Sequence, residues 1–202
     1  DPMSCAQLVE DLCVRRLPDR RGYDPIRDIQ VLTPMYRGET GAVNLNKRLQ
    51  DSLTPAGRNR IAHGDSELRV GDKVLQVRNN YDKGVFNGDL GKVVSVDGEN
   101  EFVEVDFEGG VRCQYDVGQL DELALAYAMS IHRSQGSEFP VVILPLSTQH
   151  YVMLQRNLLY TAVTRAKALL IIVGSRRAIA RALANDDVSD RFTSLKERIR
   201  GM

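Results

Sequence analysis

The sequence predicts an α/β fold, a parallel sheet flanked by helices, with a small all-β unit inserted midway. Near-continuous apolar runs, Val141-Val-Ile-Leu144 and Ala168-Leu-Leu-Ile-Ile-Val173, alternate with helical patterns, as strands buried on both faces require. Between residues 69 and 116 the period changes to short alternating segments split by turn sequences. The 202 residues, 43% of them apolar, suffice for a soluble core in one large domain or two small ones.

Ser4 is placed to cap a first helix with Gln7 as its reciprocal partner. Cys5, Leu8, Val9, Leu12 and Cys13 then repeat at helical spacing, and Pro18 is expected to end the helix. Asp28-Ile-Gln-Val-Leu-Thr33 reads as a strand stopping at Pro34, and Ala42, Leu45, Leu49 and Leu53 mark a helix stopping before Pro55.

Four strands follow: Lys73-Val-Leu-Gln-Val77, Gly91-Lys-Val-Val-Ser-Val96, Phe102-Val-Glu-Val-Asp-Phe107 and Val111-Arg-Cys-Gln-Tyr115. The segments Asn87-Gly88-Asp89, Asp97-Gly98-Glu99-Asn100 and Glu108-Gly109-Gly110 between them are turn sequences. Strands this dense suggest a small barrel of the SH3 type, which closes its own edges.

Beyond it the pattern predicts a buried helix over Leu123 to Ile131, a strand at Val141 to Leu144, and a helix over Met153 to Ala166. A strand over Ala168 to Val173 and a helix over Arg176 to Ala184 complete it. In the tail, Asp186, Asp187 and Asp190 break the apolar pattern, and Phe192, Leu195 and Ile199 suggest a short amphipathic helix. Residues 1–66 and 122–202 are thus expected to form one discontinuous domain, with residues 67–121 inserted as the barrel.

The zero net charge hides a split. Residues 1–66 carry ten basic and nine acidic groups, residues 67–121 six and twelve, and residues 122–202 eleven and six. Nucleic-acid affinity comes largely from neutralising phosphates, so a basic track here must be local. Arg69, Lys73, Arg78, Lys83 and Lys92 give the first part of the insertion such an edge, whereas Asp97, Glu99, Glu101, Glu104, Asp106 and Glu108 form a later acidic stretch.

No run approaches the roughly 18 apolar residues that cross a bilayer, and the start lacks a basic and apolar signal region, so a cytoplasmic location without membrane contact is expected. Cys5, Cys13 and Cys113 lack zinc spacing and read as buried thiols. His63, His132 and His150 are unpaired in spacing, so neither a metal site nor a nucleophile triad is expected.

Arg165, in Tyr160-Thr-Ala-Val-Thr-Arg-Ala-Lys167, follows an apolar helical stretch and is the first candidate to stabilise charge on a transferred phosphoryl group. Arg37, past a strand in Thr33-Pro-Met-Tyr-Arg-Gly38, is a candidate second phosphate contact. Glu138 suits a ribose hydroxyl, with Gln135 and Gly136 able to bring backbone close to a ligand. Ser130, His132 and Ser134 carry short donors suited to phosphate oxygens of DNA. No G-x-x-x-x-G-K-[ST] loop occurs in the chain.

Taken in order, three segments resemble helicase motifs. Val31-Leu-Thr-Pro-Met-Tyr-Arg-Gly-Glu-Thr-Gly-Ala42 is similar to motif IV, Ala128-Met-Ser-Ile-His-Arg-Ser-Gln-Gly-Ser-Glu-Phe-Pro-Val-Val-Ile143 to motif V, and Leu159-Tyr-Thr-Ala-Val-Thr-Arg-Ala-Lys167 to motif VI. With Arg69-Val-Gly-Asp-Lys-Val74 and Asn87-Gly-Asp-Leu-Gly91 in the insertion, the chain resembles the RecD-like branch of superfamily 1 DNA helicases.

The resemblance implies a RecA-like second motor domain carrying an SH3-like barrel. It implies that Arg165 is an arginine finger, Arg37 a γ-phosphate contact and Glu138 a ribose contact. The cofactors would be ATP and Mg²⁺, the metal ligands lying on an N-terminal motor domain of the same protein outside this chain. Thr33, Ser130, His132 and the barrel surface around Asn79, Asn80 and Asn87 would lie along single-stranded DNA, translocation would run 5′ to 3′, and recombination or repair subunits are expected partners. Asp1 reads as an internal position of a longer protein. The competing expectations are a non-catalytic DNA-binding or adaptor module, and a barrel that binds proline-rich peptide through Tyr81, Phe86, Phe102, Phe107 and Tyr115.

Overall fold

The computed structural model describes residues 1–57, 59–64, 66–147 and 155–185. The first helix, α1 (Pro2–Asp11), is capped one turn earlier than Ser4: the Asp1 carboxylate accepts from the Ser4 N–H at 2.9 Å and from its hydroxyl at 2.8 Å. Pro18 does not end it either. A π-turn (Leu12–Arg16) leads into α2 (Leu17–Arg21), and Pro18 stands in the first turn of α2 with the helical run passing through it. The stop comes at Gly22, whose φ of 69° is the left-handed conformation that ends helices.

A parallel sheet in the order β11 (Ala166–Gly174), β10 (Phe139–Leu146), β1 (Ile29–Thr33), β9 (Ala128–Ser130) forms the centre. Every residue of β1 is buried, because helices cover both faces. On one face α1 and α3 (Ala42–Leu53) supply Ala6, Val9, Leu45 and Leu49 against Val31, Val141 and Ile143. On the other, α4 (Arg156–Val163) and α5 (Arg176–Ala184) set Leu159, Ala162, Ala178 and Ala182 against Leu144 and Leu146. The expected helix over Met153 to Ala166 is thus seen as α4; its start at Met153, His150 and the tail residues 186–202 lie outside the described residues.

The helix expected over Leu123 to Ile131 is absent. The segment instead forms β8 (Leu123–Leu125) and β9, followed by a 3₁₀ turn (Ile131–Ser134). A short apolar run carries no period that separates strand from buried helix, and here tertiary pairing decides. Asn46 on α3 grips Ala128, donating to its carbonyl and accepting from its N–H, both at 2.8 Å. The Gln30 amide donates to the carbonyls of Ala126 and Tyr127 at 3.0 and 3.2 Å.

The second sheet is antiparallel, in the order β7 (Arg112–Asp116), β6 (Phe102–Phe107), β5 (Leu90–Asp97), β4 (Lys73–Gln76), β8. With the hairpin β2 (Arg60–His63) and β3 (Ser66–Arg69) it makes the SH3-like unit around Leu68, Val74, Val93, Val103, Val105 and Tyr115. Its last strand, β8, comes from beyond Asp121. Of the five aromatics that a peptide groove would need, Phe107 and Tyr115 are core and Phe102 is half-buried, leaving Tyr81 and Phe86 exposed.

Lys73 is buried where barrel meets motor, its Nζ donating to the Ile29 carbonyl at 3.1 Å and lying 5.8 Å from the centre of the Phe139 ring. Burial pushes its pKa down to about 8. Folding therefore disfavours the charged amine: the stability held above the unfolded lysine's titration is lost as pH falls through about 8. Urea midpoints of wild type and Lys73→Met are expected to diverge in favour of wild type as pH rises from 8 towards 10. Parallel midpoints across that window would show that Lys73 does not titrate there.

Candidate nucleotide edge and nucleic-acid groove

Two sites form at opposite edges of the parallel sheet. At the edge where β10 and β11 begin, α4 ends and delivers Arg165. Its Nε donates to the Thr161 carbonyl at 3.2 Å, Nη1 to the Ser137 carbonyl at 3.0 Å and Nη2 to Thr164 Oγ1 at 3.3 Å. The Phe139 N–H donates to the Arg165 carbonyl at 2.8 Å, tying the arginine to the first residue of β10. All these side-chain partners are neutral acceptors, so they orient the half-buried guanidinium without cancelling its charge.

Glu138 is exposed at the same edge, 3.6 Å from Lys167 Nζ. Gln135 and Gly136 are exposed on the loop leading to it, and Gly136 takes a φ of 88°. A cavity of about 480 Å³ beside Glu138 is lined by Asp28, Ser137 and Phe139 of the motor and by Asp89 and Glu108 of the barrel. Through the Ser137 carbonyl, Arg165 is bonded to the loop that carries Gln135, Gly136 and Glu138.

The opposite edge holds Arg37. After β1 the chain doubles back tightly enough that a Cβ on Gly41 would lie 2.4 Å from the Arg37 carbonyl, which requires glycine there. The turn is closed by the Ala42 and Val43 N–H groups donating to the carbonyls of Met35 and Tyr36 at 3.0 and 3.1 Å. Tyr36, 64% exposed, and Arg37 project at its tip.

Arg37 therefore does not converge with Arg165. Thr33 lies two residues past the Val31–Ile143 pair and Phe139 four residues before it. Six residues of strand at about 3.3 Å each separate the two strand ends by about 20 Å. Arg37 lines a cavity apart from the one beside Glu138.

Arg37 instead lines a groove of about 990 Å³ between α3, β9 and the barrel, together with Tyr36, Lys47, Arg69, Ser130 and Arg133. Among the described residues, Arg37, Lys47 and Arg133 are exposed and make no ion pair. Arg69 is engaged, its guanidinium bonded to Glu67, Asp51 and the Thr54 carbonyl. Tyr36, Lys47 and Arg133 were not singled out in the sequence, although Tyr36 and Arg133 stand inside the very motifs that were.

Two expected DNA contacts face inward. Thr33 is fully buried, its hydroxyl donating to the Thr40 carbonyl at 2.7 Å, and buried Ser134 donates to the Ile131 carbonyl at 2.8 Å. They shape the loops that carry Arg37 and Arg133. Ser130 caps the 3₁₀ turn, accepting from the Arg133 N–H at 3.4 Å, and His132 is exposed on that turn.

On the barrel, Asn79 accepts from the Asn87 N–H at 2.9 Å, while Asn80 donates to Glu122 at 3.0 Å and accepts from the Lys83 N–H at 3.1 Å. These amides brace a hairpin that presents Tyr81 and Phe86 edge to face, ring centres 5.8 Å apart.

Residues 125–173 match the family described as UvrD-like helicase C-terminal domain, and residues 45–107 the ATP-dependent RecD-like DNA helicase SH3 domain. The ATP-dependent RecD2 DNA helicase of Deinococcus radiodurans is 43% identical over 173 residues, 85% of this chain and 23% of the relative. The chain belongs to the RecD-like helicase family. The RecBCD enzyme subunit RecD of Mycolicibacterium smegmatis is 35% identical over 65% of this RecD-like chain and 22% of its own length. The chain thus spans about a quarter of the length of these curated relatives.

Among solved structures, Pif1 helicase from Bacteroides in complex with ADP-AlF3 and ssDNA superposes with a TM-score of 0.59 at 19% identity, over 97% of this chain and 49% of that one. Pif1 helicase from Candida albicans does so at 0.54 and 18%, over 97% and 53%. Both share the α/β motor fold of the RecD-like chain.

Proposed function

We propose that the chain completes the ATP site and grips the DNA strand in an ATP-dependent 5′ to 3′ DNA helicase. The observation that carries the first part is Arg165, fixed by neutral acceptors at a sheet edge beside Glu138. That donor set suits a polyphosphate and a ribose hydroxyl, with Arg165 holding the terminal phosphate and Glu138 the sugar. Bound with Mg²⁺ on the domain outside this chain, ATP supplies a cleavable phosphoanhydride. Arg165 offers a preoriented positive charge to the transferred phosphoryl group and, by gaining a partner only when the two motor domains meet, favours their closed arrangement.

The groove supports the second part. Arg37, Lys47 and Arg133 provide uncompensated charge along one track, Tyr36 an exposed ring beside it, and Ser130 a short donor. Such a combination suits single-stranded nucleic acid. The 5′ to 3′ polarity and assembly with recombination or repair subunits are carried over from the RecD-like family, one relative being a RecBCD enzyme subunit.

The test compares the chain alone with the protein extended upstream, measuring ATP hydrolysis with and without single-stranded DNA. Hydrolysis only in the extended form is expected, because the chain holds no Walker loop. Absence of hydrolysis in both would favour a DNA-binding adaptor.

A further inference from the structure

The junction of barrel and motor is built around one buried carboxylate. Asp72, directly before β4, has 0% exposure, and four donors converge on it. Gln50 Nε2 at 2.6 Å and the Arg69 N–H at 2.7 Å meet one oxygen; Thr54 Oγ1 at 2.5 Å and the Tyr127 hydroxyl at 2.8 Å meet the other. A carboxylate offers about four acceptor sites and donates nothing, so this set saturates it. Burial, reinforced by the Asp72 charge, pushes the Tyr127 phenol well above its ordinary pKa, so it remains a donor.

The donors come from the three walls of the groove. Gln50 belongs to α3 and Thr54 caps its end, Arg69 closes β3 of the barrel, and Tyr127 links β8 to β9 just ahead of Ser130. Cross-bonds tie them further: Gln50 Nε2 also donates to the Glu67 carbonyl at 2.9 Å, and the Arg69 fork spans Glu67, Asp51 and the Thr54 carbonyl at 2.7 to 2.9 Å. Buried networks with every member satisfied rigidify what they join.

Resting on the nucleic-acid reading of this groove, we infer that Asp72 is a positioning residue that fixes the groove's width by locking α3, the barrel and the β8–β9 link at one separation. It touches no ligand. Its effect is to leave little ordering to be done when a strand binds, since a preformed site loses less freedom on binding.

The experiment uses the complete protein with spin labels on Arg20→Cys of the motor and Glu99→Cys of the barrel, both exposed, whereas Cys5, Cys13 and Cys113 are buried. The distance distribution is expected to be narrow in the parent and broad in Asp72→Ala. The oligothymidylate concentration that half-saturates ATPase activity is expected to rise about fivefold, the cost of ordering one or two side chains anew, with the rate at saturating DNA changed less than about twofold. Tyr127→Phe, which keeps the ring and removes one donor, should move both readouts less in the same direction.

An unchanged distribution and half-saturation in a folded Asp72→Ala protein would overturn the inference. Should that variant fail to fold, Asp72→Asn and Tyr127→Phe decide by the same two readouts. If the parent does not respond to oligothymidylate, the reading of the groove fails, and the distance distribution alone then supports or sinks the positioning role.

Discussion

Arg165→Ala in the complete protein is expected to lower DNA-stimulated ATP turnover by about 10³-fold while nucleotide affinity changes little. The guanidinium is held by the carbonyls of Thr161 and Ser137 and by Thr164 Oγ1, none of which neutralises it. Its charge is therefore available to the phosphoryl group in transfer, where it matters more than in the ground state. Arg165→Lys should recover little: a lysine ammonium keeps the charge but cannot span three acceptors in a planar fork. Single-turnover hydrolysis alongside nucleotide titration separates the two quantities, and hydrolysis at the parental rate in Arg165→Ala would remove the assigned role.

The second large effect is expected in DNA affinity. Arg37→Ala with Arg133→Ala removes two of the three groove cations that make no ion pair among the described residues. If each meets a phosphate of a single strand, the slope of log affinity against log salt becomes shallower by about 1.4, at about 0.7 per contact. Affinity at low salt should fall by about an order of magnitude or more, and about equally for all base sequences. Fluorescence anisotropy across a salt series measures both. An unchanged slope would place the DNA backbone elsewhere, with the Tyr81 and Phe86 hairpin as the next surface to probe.

The sheet was legible because β1 and β10 are buried along nearly their whole length, which leaves a plain apolar signature at Ile29–Thr33 and Phe139–Leu146, and because β11, half-buried at the end of the sheet, still carries the apolar run Ala168–Val173. The segment from Leu123 to Ser130 was not, because its strand character comes from partners distant in sequence: Asn46, Gln30, and β4 across the junction. Helix propensity in an Ala-rich run gives way to such pairing.

The separation of Arg37 from Arg165 was in principle readable. One follows a strand and the other precedes one, and in a parallel sheet those positions lie at opposite edges. Asp72, by contrast, reads as an ordinary turn residue in Val70-Gly-Asp-Lys73; nothing local announces four donors arriving from three elements.

One stretch of chain serves two sheets: Leu125 pairs with Val74 in the barrel, and Ala128, three residues on, pairs with Val31 in the motor. The barrel therefore has no clean excision point. Deleting residues 67–121 would strip β8 of its ladder and pull on β9 and the loop of Ser130 to Arg133 behind it. Chimeras that exchange barrels between relatives must carry the segment through Tyr127 along with them, and heat should melt the two sheets as one cooperative unit.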